Sequence, residues 1–270
     1  MIDILRGRFT IRGEFFVISG FIIITCLFLL YTKYQDPSKL VPQSIDSIQR
    51  FAFMFYVVFL AAFGLIGLGM YKFHKEKNNT LGLFGKIATL TWNDKSRKIF
   101  VSCIFIYGVF FSFLSGTLVY QPELVFSYHY GVNIPSVELI PCCDTVGYMP
   151  LILIYLTEHV GLQIIPINLL LQIIVSYLVA LNVSLVFAAN SISKKRRSIG
   201  SIGAATGLFI ACPTCAGSAV SLILGPIAGI TASIVLGQLQ TLFIAISIPI
   251  LLYSPFFLVR RISRLSDECN

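Results

Sequence analysis

The stretch "FFVISGFIIITCLFLLY", Phe15 to Tyr31, decides the class of the fold. It carries no charged side chain, and its length is that of a membrane crossing. A helix rises about 1.5 Å per residue, so roughly 20 apolar residues cross the ~30 Å hydrocarbon core of a bilayer. A helix also satisfies its own backbone hydrogen bonds, which lipid cannot do. Five further runs repeat the pattern: Phe51–Tyr71, Ile99–Tyr120, Ile164–Ala188, Ile202–Leu224 and Ile230–Val259. Composition agrees, with 56% hydrophobic and 12% charged residues among 270 and a mean hydropathy of +0.85. Soluble domains carry about 25% charged residues. The expected fold is an all-α integral membrane protein with six transmembrane helices. Met149–Leu156 is apolar but too short to span, and reads as a re-entrant or interfacial segment.

The basic residues orient these helices. Of the 20 Lys and Arg, 17 fall before the first run, between Lys72 and Lys98, between Lys194 and Arg197, or after Val259. Gln121 to Leu162 holds none. Such a split places both termini in the cytoplasm of a cell-membrane protein. The net charge of +8 is thereby assigned to contact with anionic lipid, and nucleic acid is excluded as a partner. Arg6, Arg8 and Arg12 precede a run too long for a signal peptide, and "YTKYQDPSK" offers no small-residue cleavage site, so the first helix reads as uncleaved. "KEKNNTLGLFGK" reads as a solvated loop with a short interfacial helix, and His74 beside it as solvated.

Three regions follow: 1–120 as an N-terminal three-helix half, 121–163 as an external loop with the short segment, and 164–270 as a C-terminal three-helix half. The first half is aromatic and apolar. From Gln121 onward, polar and special residues enter the membrane zone, where they are costly unless satisfied. The functional site is expected there.

Four of the seven cysteines are clustered. In "ACPTCAG", Pro213 removes a helical hydrogen bond and clashes with the carbonyl of Phe209. The fifth helix should break at Cys212–Pro213, with Pro213 opening a new half-helix. Cys212 and Cys215 then face a positive helix end, which favours thiolate. Cys142 and Cys143 are adjacent in the outer loop. Such neighbours suit soft-metal ligation or pairing with thiols elsewhere, and Met149 and His159 are further candidate ligands. Simple packing is the alternative for both pairs. Cys26 and Cys103 read as small apolar residues inside helices.

"ACPTCAGSAVSLILGPIAGI" followed by "GQLQTLFIAISIPILL" resembles the bacterial mercury-uptake membrane proteins of the MerC type, over about a quarter of the chain. "PCCD" is distantly similar to the vicinal pair of MerT-type proteins, where the pair lies inside a helix. "YMPLILIYLTEHVGLQIIPINLLL" through "CPTCAG" resembles an uncharacterised family of archaeal polytopic membrane proteins, which implies no activity.

Three functions are open. The first is handling of a soft ion of the Cu(I) or Hg(II) type through Cys142, Cys143, Cys212 and Cys215. The second is thiol–disulfide exchange between the same pairs. The third is a non-catalytic subunit among other membrane subunits. No nucleotide-binding loop, hydrolase elbow or HExxH motif is present, so a non-enzymatic role is favoured.

Overall fold

The computed structural model describes residues 12–33, 45–77, 82–141, 146–192 and 248–260. Its helices are α1 (Gly13–Thr32), α2 (Ile45–Lys77), α3 (Leu83–Trp92), α4 (Asp94–Leu114), α5 (Phe126–Tyr130) and α6 (Pro166–Ile192), and α7 (Ile248–Arg260). Its strands are β1 (Leu118–Tyr120), β2 (Ser136–Ile140), β3 (Leu151–Tyr155) and β4 (Val160–Ile164). The described chain is mostly helical. Among the described residues, four helical segments are long and apolar enough to cross a membrane: Gly13–Thr32, Asp46–Lys77, Asp94–Phe113 and Pro166–Ala188. The expected fifth helix, with its break at Cys212–Pro213, lies outside the described residues.

The chain divides into two compact units. The first is formed by the described residues of Met1–Thr80 together with Leu139–Leu151. Here α1 and α2 run side by side because small residues let their backbones approach. A Cβ on Gly13 would stand 2.5 Å from the backbone nitrogen of Phe73, and one on Gly69 would stand 2.8 Å from that of Val17. Neither position has room for a side chain. Phe28, Phe55 and Phe59 fill the seam further along, with ring centres 5.6 to 5.9 Å apart. At the Gly13 end the seam closes with polar contacts. Glu76 Oε2 accepts from the Gly13 N–H at 3.2 Å, and Lys77 pairs with Glu14 at 3.3 Å. His74, read from sequence as solvated, is instead buried. Its Nδ1 meets the Met70 carbonyl at 2.9 Å, because the last turn of α2 still belongs to the helix pair.

The second unit comprises the described residues of Leu81–Glu138 and Ile152–Asn270. Its core joins Ile87 of α3, Phe100 of α4, Ala180, Leu181 and Leu185 of α6, and Val259 of α7. The interfacial helix expected near "LGLFGK" is α3. Gly85, Ile87, Ala88 and Thr91 are buried along it, so it is part of the core.

Within the short apolar segment Met149–Leu156, Leu151–Tyr155 is strand β3 of a four-stranded sheet ordered β1-β4-β3-β2. β-branched and aromatic residues favour the extended chain, and "LTEH" supplies a turn before the matching run "VGLQI". The resulting antiparallel hairpin pairs Ile154 with Leu162. The third apolar run also ends early. Its helix stops at Leu114, and Gly116 turns the chain at a φ of +71° so that Leu118–Tyr120 can pair with β4. β1 and β4 therefore adjoin, in sequence, the ends of the spanning helices α4 and α6.

Candidate functional site

Hydrophobic helices need few polar residues, so those that α6 carries are informative. Asn168, Gln172, Ser176 and Asn182 fall within an arc of about 120° at 3.6 residues per turn and extend over ~21 Å of helix. On the α4 side, Asn168 Nδ2 donates to the Ser115 carbonyl at 3.3 Å. Gln172 Nε2 donates to the Gly108 carbonyl at 2.9 Å and to Ser112 Oγ at 2.6 Å. On the α7 side, Asn182 Nδ2 donates to the Leu251 carbonyl at 3.1 Å.

This last bond has a cause in the α7 sequence. In a helix the Leu251 carbonyl would accept from the N–H of residue 255, but that residue is Pro255 and has none. The Asn182 amide supplies the missing donor. In lipid such a carbonyl has no water to turn to, and side chains of neighbouring helices take its place. Asn182 is 7% exposed. Its role was missed in the sequence, although Asn182 within an apolar run and Pro255 within another were both visible signals.

Of the sequence-derived candidates, Cys142, Cys143, Cys212 and Cys215 lie outside the described residues. The residues bordering the first pair are described. Tyr31, 1% exposed, donates its hydroxyl to the Pro141 carbonyl at 2.5 Å. Tyr56 donates to the Pro150 carbonyl at 2.6 Å. The chain entering Cys142, and the chain just beyond Met149, are therefore each held by a buried tyrosine of the first unit.

His159 occupies the β3–β4 turn. Its Nδ1 faces the carbonyls of Leu124 at 2.9 Å and Gln121 at 3.2 Å. Both are acceptors, so Nδ1 carries a proton and donates to them. Glu158 beside it accepts from Ser127 Oγ at 2.7 Å and from Ser127 N–H at 3.2 Å. Both side chains fasten the turn to the segment around α5. Cys26 is exposed and Cys103 half-buried, both as free thiols. Among the described residues, no three His, Cys, Asp or Glu side chains gather as a metal site.

The chain matches no family model, no curated protein and no solved structure.

Proposed function

We propose that this is a six-span protein of the cell membrane, with both termini cytoplasmic, that handles a soft metal ion through two cysteine pairs. Cys142 and Cys143 take up the ion on the outer side, and Cys212 and Cys215 receive it. Thiolates select Cu(I) and Hg(II) over hard cations, and the break expected at Pro213 would give the second pair a helix N-terminus that favours thiolate. One observation carries the reading furthest. The residue before Cys142 is anchored by Tyr31, and Pro150 by Tyr56, so the chain bordering the vicinal pair is fixed at both ends. Restricting the approach of two ligands lowers the entropy lost when they close on an ion. His159, whose Nδ1–H donates to backbone carbonyls, would offer Nε2 as the ligand nitrogen in the manner of metal-binding histidines.

The test is Cu(I) titration of the full chain in detergent against a competing chelator. Cys142→Ser and Cys212→Ser each weaken binding at least tenfold if the reading holds. Wild-type affinity in both variants overturns it. A mixed disulfide trapped between the pairs, with no metal-dependent change, assigns the cysteines to thiol–disulfide exchange instead.

A further inference from the structure

The tip of the β3–β4 hairpin, with α5 fastened to it, has its polarity partly inverted. Glu158 and His159 are both half-buried and are turned to the protein, the first toward Ser127 and the second toward the carbonyls of Leu124 and Gln121. The apolar and aromatic side chains are turned out. Tyr128 of α5 is 92% exposed, and Tyr120, Val125, Tyr130 and Leu156 are exposed as well. These residues share one locality. Tyr120 pairs with Val160 across β1 and β4, and the Leu156 N–H donates to the Val160 carbonyl. The N–H of Phe126, which opens α5, donates to the Glu158 carbonyl. A Cβ on Gly161 would stand 3.4 Å from the Phe126 ring, so α5 is laid against β4 with Phe126 inward.

Exposed apolar side chains scattered singly are normal on a protein surface. A group of them around one turn, whose acid and imidazole are withdrawn, marks a surface that meets something other than water. Tyrosine suits the boundary between lipid headgroups and acyl chains, where the ring is in apolar surroundings and the phenol is wet. That boundary is within reach. α4 exposes apolar side chains as far as its last turn, Phe105 and Phe113 among them. From Leu114, where α4 ends, to Tyr120 the chain can span at most ~20 Å. Of the polar neighbours that stay exposed, Glu123, His129 and Thr157, none carries a fixed positive charge, so zwitterionic headgroups suit the surface better than anionic ones. We propose that this tip is a membrane-surface anchor. α5 and the β3–β4 turn lie in the headgroup region of a zwitterionic bilayer, with Tyr128 as the leading side chain. The inference rests on the spanning reading of α4 and not on the cysteine pairs.

Tyr128→Trp tests this in the full chain, reconstituted in phosphatidylcholine nanodiscs. The single native tryptophan, Trp92, is removed by Trp92→Phe in the same chain. Seated in the headgroup region, the new indole emits to the blue of indole in water, and bromine on the acyl carbons nearest the headgroup quenches it. Emission at the wavelength of indole in water, untouched by bromine, overturns the proposal. So does blue-shifted emission untouched by bromine, which assigns the surface to a protein partner. Phe105→Trp in the same background is the control for the spanning reading. If bromine quenches that indole alone, only the anchor falls. If it quenches neither, the spanning reading of α4 falls and the anchor with it. Should Trp92→Phe fail to fold, the same spectra are taken as differences from the chain that keeps Trp92.

Discussion

The α1–α2 pair and the α4–α6 pair are both built from helices of membrane length, and different means join them. Along α1–α2 the contact is steric. Gly13 and Gly69 bring two backbones together, phenylalanine rings fill the remainder, and polar groups close one end. Along α4–α6 polar contacts are added to the apolar packing of Phe100 with Ala180, Leu181 and Leu185, with Asn168 and Gln172 donating to carbonyls on the α4 side. Lipid tails are as apolar as leucine, so burying leucine between helices gains little. Close packing and interhelical hydrogen bonds do the joining, and the hydrogen bonds along the spanning length are found at α4–α6. The steric joint should fail when a side chain is added. The polar joint should fail when one is removed.

The largest effect is expected at the steric joint. Gly69→Leu pushes a side chain into the backbone of Val17, 2.8 Å from where its Cβ would sit. The clash is with main chain rather than a movable side-chain tip, so the helices must part. The expected loss is about 3 kcal/mol, the upper part of the overpacking range. Gly67→Leu, in the same helix, is the control, because a Cβ there meets nothing within 4 Å. Denaturant titration of the two variants in mixed micelles checks this, and equal stabilities would break the steric account.

Next comes Asn182→Leu. It strands the Leu251 carbonyl, which Pro255 cannot serve, and is expected to cost about 1–2 kcal/mol. The sharper measurement is the double variant Asn182→Leu with Pro255→Ala. Alanine restores the N–H at residue 255, so the Leu251 carbonyl regains a partner and much of the loss is recovered. Strictly additive losses would show that Asn182 acts through packing and not through that carbonyl.

Tyr31→Phe follows, with an expected loss of about 1 kcal/mol for one hydrogen bond. It keeps the ring that packs against Phe51 and Phe55 and removes only the hold on Pro141. Faster labelling of Cys142 by a membrane-impermeant thiol reagent, with little change in global stability, is the predicted result. Unchanged labelling would separate the tyrosine anchor from the vicinal pair.

These particulars show how much could be read in advance. Phe15–Tyr31 anticipates α1 to within two residues at its start, because a charge-free run of that length has one solution in a bilayer. The polar residues of α6 stood out from their apolar surroundings, but their partners did not. Gly108, Ser112 and Ser115 are more than 50 positions away from them, and pairing at that distance is a property of packing. Met149–Leu156 shows a different limit. Eight apolar residues fit a helical piece or a strand equally well, and only the matching run Val160–Ile164 beyond a polar turn separates the two. His74 was misread because charge along the sequence does not say which side of a last helical turn faces a neighbour. The cysteine pairs that carried the functional reading lie outside the described residues, so that reading still rests on their chemistry and spacing.

The smallest effect is expected on the sheet that adjoins α4 and α6 in sequence, where the packing is aromatic again. Tyr155 of β3 is 8% exposed and packs against Phe126 and Tyr130, with ring centres 5.5 and 6.1 Å away. Its burial, then the charge of Glu138 and the neighbouring Tyr130, disfavour a phenolate and raise its pKa above the ordinary tyrosine value. The direction of the pH effect follows. Below about pH 10 the phenol is neutral in the folded and unfolded chain alike. Above that, the unfolded chain gives up the proton first, so the folded state binds more protons and loses stability as pH rises through its own, higher pKa. Tyr155→Phe removes this contribution. The fall in thermal midpoint between pH 9 and pH 11 should therefore be smaller in Tyr155→Phe than in wild type, while the two should change alike between pH 6 and pH 8. Glu138→Gln should move the alkaline fall in the same direction by less, since burial is the larger cause. If the alkaline fall is identical in all three proteins, the aromatic cluster of the sheet does not hold Tyr155 in its neutral form.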